Sequence, residues 1–364
     1  MYGIIYAYER LKGEEFVEEI KGKNPTFVCV IATSETAKIP GISAAGKNPE
    51  FTDYTPPADV ELLFYGRCKC IEGLPVTPEG IPTPALITMT ALKLANIPTF
   101  VVSGGLKVKP KAPFIELGGK PGGDIRTGRA VEGVNEVFER AKILGKNLAK
   151  TSDYLVVGES IPGGTTTCLG VLTAMGYDAK GKISSSMPTN PHELKWKVVE
   201  EGLKNAGVYF GSLKDKPFKA IATLGDPMMA AFSGLILGAA EARKVLMAGG
   251  TQMAAILAIV KALKPEILKN LAIGTTRWII EDKASDLKGL INQIAKIPIL
   301  AANLNFGRSK YKGLRAYEYG VVKEGVGAGG VSIASILKLK GKLTWEMLKV
   351  NIEKNYRQLL EEAH

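Results

Sequence analysis

Histidine is almost missing from this chain: there are two, His192 and His364, among 364 residues. Cysteine is scarce as well. Cys29, Cys68, Cys70 and Cys168 are scattered, and Cys68-Lys69-Cys70 lacks the C-x-x-C spacing of a zinc site. With so few nitrogen and sulfur ligands, neither a metal nor a cofactor is expected, and a reduced, cytoplasmic setting is the default. Long hydrophobic runs are also lacking. The longest, residues 228–240, falls short of the roughly 20 residues a membrane span needs and runs straight into Glu241 and Arg243. Residues 1–19 hold no apolar stretch of the kind that directs secretion. Aromatic residues make up only 7%, and none is interleaved in the one dense basic stretch, Lys107-Val108-Lys109-Pro110-Lys111. The net charge of +11 therefore reads as a solvated, lysine-rich surface that attracts small anions, not as a nucleic-acid footprint. Only three glutamines, Gln252, Gln293 and Gln358, stand among abundant Lys, Glu and Ile, a composition typical of hot habitats.

What is present is core-forming material: 46% hydrophobic against 23% charged residues, enough for a large soluble globular domain. Short apolar runs at 26–32, 98–103, 154–157, 218–223, 244–247 and 297–301 are expected to be strands. They alternate with helical patterns at 85–95, 131–148, 166–175, 193–205, 228–242 and 251–263. Such alternation predicts a three-layer α/β/α domain over 25–338, with a mostly parallel, Rossmann-like sheet. The charged ends, 1–24 and 339–364, are expected to form a small helical subdomain.

Two glycine-rich elements carry chemistry. The first follows the strand at 154–157 and reads Gly158-Glu159-Ser160-Ile161-Pro162-Gly163-Gly164-Thr165-Thr166-Thr167 before an apolar helix. Its spacing is that of a phosphate loop, G-x-x-x-x-G-K-[ST], with Gly164 where the lysine should stand. Backbone N–H groups and a helix N-terminus still cradle one phosphate without that cation, so a monophosphate is expected and a triphosphate is not. The second element, Lys323-Glu324-Gly325-Val326-Gly327-Ala328, sets a single carboxylate among residues small enough for close ligand approach.

These elements, taken in order with Ala239-Ala240-Glu241-Ala242-Arg243, resemble the nicotinate-nucleotide:dimethylbenzimidazole phosphoribosyltransferases of cobamide synthesis. That family reads approximately Gly-Glu-Met-Gly-Ile-Gly-Asn-Thr-Thr and Gly-Glu-Gly-Ser-Gly-Ala at the two glycine-rich elements. The resemblance extends from about Gly73 to Ile336 and is divergent, as in an outlying archaeal branch. It implies ribose phosphate moving from nicotinate mononucleotide to an aromatic base, with small-molecule substrates, a homodimer, and no nucleic acid or membrane as partner.

By position, the resemblance makes Glu324 the general base and places Glu159, Gly163, Gly164, Thr165 and Thr166 at the phosphate and ribose. Lys195 would supply the cation missing from the loop, with Lys197 an equally spaced rival. Ser185, Asn303 and Asn305 fall near the same side. Asp226, in Asp226-Pro227, could contact the ligand or simply start a helix. The departures gather on the acceptor-base side. There Pro78-Glu79-Gly80-Ile81-Pro82-Thr83 stands for Pro-x-x-Val-Thr-Gln, and Met247-Ala248-Gly249-Gly250 for Leu-Asp-Gly-Phe. Thr83, Ala248 and Gly249 are thus expected to line a pocket for an altered acceptor. Three readings stay open: transfer to dimethylbenzimidazole, transfer from the same donor to another acceptor or to water, and non-catalytic nucleotide binding.

Overall fold

The computed structural model describes residues 2–46, 48–73, 75–77 and 79–362. Pro78 and His364 lie outside them. Among the described residues eight strands form one sheet: β1 (Ile5–Tyr8), β2 (Pro25–Ala32), β3 (Thr99–Gly105), β4 (Ile115–Glu116), β5 (Tyr154–Ser160), β6 (Lys244–Ala248), β7 (Leu271–Thr276) and β8 (Ile299–Ala302). Their order is β1-β8-β7-β6-β5-β2-β3-β4, and every pairing is parallel except β1 with β8.

Alternation along the strands sends side chains to two cores. Val28, Val30, Leu155, Val157, Val245 and Met247 face one, while Phe27, Cys29, Ile31, Val156 and Leu246 face the other. Because helices cover both faces, these strands read as near-continuous apolar runs.

Among the described residues fourteen α-helices complete the layers. The earlier ones are α1 (Arg10–Ile20), α2 (Thr55–Tyr65), α3 (Ala85–Ala95), α4 (Val134–Thr151), α5 (Gly164–Ala174), α6 (His192–Ala206) and α7 (Pro217–Leu224). The later ones are α8 (Pro227–Ala239), α9 (Gln252–Leu263), α10 (Arg277–Ile280), α11 (Leu287–Ile294), α12 (Lys312–Arg315), α13 (Ala328–Lys338) and α14 (Trp345–Glu362). Buried residues of α4, α5, α8, α9 and α11 fill the first core, and those of α1, α3, α13 and α14 fill the second. Among the described residues no helix is long and apolar enough to cross a membrane.

The structure corrects one expected strand. Residues 218–223 belong to α7, because Pro217, Ala220, Ile221 and Leu224 are buried at helical spacing. Two elements at the sheet's far side went unforeseen. β7 is one, and the other is β1, through which the N-terminal segment joins the sheet edge instead of contributing only a helix. The chain ends do meet, Trp345 Nε1 donating to Tyr2 O at 2.8 Å.

α4 and α8 cross at backbone contact. A Cβ at Gly234 would stand 2.3 Å from Phe138 O, one at Gly238 2.1 Å from Lys142 O, and one at Gly145 2.2 Å from Leu235 O. This close packing seats α8 under β2, β3 and β5. The order in which strands are laid down reverses between β2 and β5, which are parallel neighbours although β3 and β4 intervene in sequence. Ligands of doubly wound sheets bind beyond the strand ends at such a switch point.

Candidate active site

A cavity of about 550 Å³ opens at that point. It is lined by residues after β2, at the end of β5, after β6, and ahead of α13. The two glycine-rich elements meet there directly, Val326 N donating to Glu159 O at 2.8 Å. Gly158 makes this possible, since a Cβ there would lie 2.8 Å from Gly327 Cα.

Glu324 lines the cavity at the N-terminus of α13. The Gly325 and Gly329 N–H groups each donate to its Oε1 at 3.2 Å, and Thr275 Oγ1 lies 3.5 Å from Oε2. Burial nonetheless raises its pKa to about 7, outweighing those bonds. The loop that carries it is strained at both sides: Val322 and Val326 have φ of +52° and +54°, a region β-branched residues rarely enter. Four hydrogen bonds hold it there. Val322 N donates to Ser186 O, Thr276 Oγ1 to Lys323 O, Thr88 Oγ1 to Val326 O, and Val326 N to Glu159 O. A conformation costing about 1–3 kcal/mol per strained residue persists only when its surroundings determine it this fully.

At the opposite wall Gly163 (φ +76°) turns the chain into α5, and Gly163, Gly164 and Thr165 line the cavity. Thr166 does not. It is buried, and its Oγ1 has no partner among the described residues. Glu159 lines the cavity, accepting from Ile161 N at 3.1 Å and from Gln252 Nε2 at 3.3 Å. Burial, reinforced by Asp226 and Glu324, pushes its pKa well above the usual carboxylate range.

Gln252 answers the missing side chain of Gly164. Its Oε1 sits 2.1 Å from where a Cβ on Gly164 would be, so the amide of α9 fills the space beside the loop. Asp226 caps α8 by accepting from Met229 N at 3.2 Å, and Thr167 Oγ1 donates to its other oxygen. Its role in the structure is therefore the helix start, and it lies outside the cavity lining.

Ser184, Ser185 and Ser186 form a further wall. Lys195 lies behind it, fully buried, its Nζ donating to Ser184 O at 2.6 Å, while Lys197 is exposed. Burial lowers the Lys195 pKa to about 7. The expectation that it reaches into the phosphate site is thus corrected: it supports the serine wall from beneath. Among the described residues one lysine lines the cavity, Lys323, and it is engaged with Asp282 at 3.2 Å.

Of the residues expected to line an acceptor pocket, Thr83 lines the cavity, whereas Ala248 and Gly249 do not. Ala248 is covered by α13, where a Cβ on Gly330 would come 2.4 Å from its own. The neighbouring Gly250 takes the cavity position instead, facing Glu324 Cβ. Asn303 and Asn305 are exposed beyond β8 and outside the cavity, Asn305 Oδ1 accepting from Gly307 N in its own turn.

Several further residues were not foreseen. Asp59 of α2 lines the cavity, Gln252 closes the loop, and Glu61 gathers the rim by accepting from Cys70 N and Lys111 N, both at 2.7 Å. The one signal was local: two acids, Asp59 and Glu61, inside an otherwise apolar helix pattern.

An α/β sheet with its cavity at the switch point, a glycine-rich turn opening a helix there and buried carboxylates of raised pKa in its lining accompany the class that the family comparison gives: a phosphoribosyltransferase. The chain belongs to the phosphoribosyltransferase family whose model matches residues 118–307. A UPF0284 protein of Sulfolobus acidocaldarius is 46% identical, covering 95% of this chain and 99% of its own length. Another from Pyrococcus furiosus is 48% identical, over 92% and 98% respectively. Among solved structures, the nicotinate-nucleotide-dimethylbenzimidazole phosphoribosyltransferase of Thermus thermophilus shares the fold, with a TM-score of 0.59 and 15% identity over 92% of this chain and 90% of that one.

Proposed function

We propose that this phosphoribosyltransferase takes nicotinate mononucleotide as donor and a benzimidazole-type base as acceptor, yielding α-ribazole phosphate and nicotinate. The observation that carries this reading is Glu324. It is one carboxylate with its pKa near 7, held by a strained loop that bonds directly to the phosphate-loop strand. The donor's phosphate rests against the N-terminus of α5 and the serine wall, where backbone N–H groups and hydroxyls converge. The acceptor's ring nitrogen attacks the anomeric carbon with inversion as its N–H proton passes to Glu324. The bond to nicotinate breaks and its electron pair returns to the pyridinium nitrogen, so no general acid is required.

The test is to incubate the protein with nicotinate mononucleotide and a panel of bases, following nicotinate release and α-ribosyl product by mass spectrometry. Base-dependent release is expected. Release without a base would indicate hydrolysis, and no release with any base would leave a binding protein.

A further inference from the structure

Asp59 is a cavity-lining carboxylate to which the chemistry above gives no task. It is 2% exposed, and it accepts Thr83 Oγ1 on Oδ1 and Ser160 Oγ on Oδ2, both at 2.7 Å. Among the described residues these two hydroxyls are its donors, and no lysine or arginine forms an ion pair with it. A carboxylate oxygen accepts about two hydrogen bonds, so each retains one free position. Leaving a desolvated carboxylate half satisfied is costly, and a ligand donor entering the cavity relieves that cost.

Its place says which ligand part is concerned. Thr83, which Asp59 holds, precedes Pro84, against which a Cβ on Gly325 would pack at 3.4 Å, so the Asp59 wall adjoins the Glu324 loop. On the same segment, Phe51 and Tyr54 line the cavity with ring centroids 5.7 Å apart and offer a face for a flat ring. Through Ser160, Asp59 also touches the first residues of the phosphate-loop element, so it stands between that loop and the Glu324 loop.

We propose that Asp59 is the acceptor-selecting residue, and that the acceptor is a fused nitrogen heterocycle bearing a second donor, an amino or hydroxyl group, in addition to the N–H taken by Glu324. This rests on the transferase reading above. A ring edge bearing only methyl groups would leave the carboxylate unanswered, and an anionic acceptor would be repelled. Sites built around a ligand N–H or O–H reject analogues that lack it far more strongly than apolar pockets reject a missing methyl.

The experiment compares kcat/KM for hydroxybenzimidazole, adenine, benzimidazole and dimethylbenzimidazole at fixed nicotinate mononucleotide, for the wild type and Asp59→Ala. In the wild type at least one donor-bearing base is expected to exceed dimethylbenzimidazole by about tenfold or more. In Asp59→Ala that ratio is expected to fall toward one while turnover of plain benzimidazole persists. A wild-type preference for dimethylbenzimidazole, or an unchanged ratio in the variant, overturns the proposal and leaves the transferase reading intact. No turnover with any base, with nucleotide binding retained, overturns both. The wild-type panel decides even if the variant fails to fold.

Discussion

At the scale of single residues, proton management sets the expectations. Glu324 must be ionised to accept a proton, and its pKa is about 7, so kcat/KM is expected to rise with pH through about 7 and then level off. Glu324→Gln should abolish that inflection and lower kcat about 10²–10⁴-fold with nucleotide affinity nearly unchanged, as measured by steady-state kinetics and calorimetric titration. Lys195 acts through Ser184. Lys195→Met should loosen the serine wall and raise the Kd for nicotinate mononucleotide about tenfold with a smaller effect on the chemical step; an unaltered Kd would remove it from nucleotide binding. The cavity placement of Glu324 and the Gly163–Thr165 turn was legible because their neighbours in sequence are also their neighbours in the fold. Asp59, Gln252 and Gly250 were not, since each acquires meaning only from residues on other elements. Asn303 and Asn305 show the converse, being placed by order along the chain while β8 carries them to the surface.

At the scale of elements, the pattern was readable wherever one period dominated. The spacing at 85–95 gave α3 with its observed bounds, and the all-apolar run of β2 gave a doubly covered strand. Where a segment was short the period failed. α7 spans eight residues, too few for its helical spacing to stand out from a strand-like run. β7 was hidden by Gly274, which breaks the apolar run because a Cβ there would come 2.8 Å from Gly330 Cα. Glycine placement likewise sets the α4–α8 crossing. Gly238→Leu should force these helices apart and cost about 2 kcal/mol or more, visible as a Tm several degrees lower in calorimetry, whereas Gly207→Ala, where nothing lies within 4 Å, should cost only the backbone strain of its φ of +64°.

For the whole molecule, buried carboxylates of raised pKa, in the cavity lining and behind it, make stability depend on pH in an unusual direction. Asp59 and Asp226 move from 3.8 to about 6, and Glu324 from 4.5 to about 7. Between about pH 4 and 7 the native protein therefore holds protons that the unfolded chain has released, so these groups make stability fall as pH rises. Lys195, lowered from 10.5 to about 7, works oppositely above that window: there the unfolded chain holds the extra proton and stability recovers with pH. Thermal unfolding without ligand is expected to show a higher Tm at pH 5 than at pH 7. The slope should be shallower in Glu324→Gln, and an equal slope would mean Glu324 titrates alike in both states.

The contact between Gly164 and Gln252 bears on how such chains can diverge. Any side chain at 164 displaces the Gln252 amide from Glu159, so the two positions cannot change independently. A library that varies residue 164 alone will score the site as intolerant. Varying 164 and 252 together should recover active pairs, among them asparagine at 164 with a small residue at 252. Mutational tolerance measured one position at a time would thus understate how freely this loop can be rebuilt.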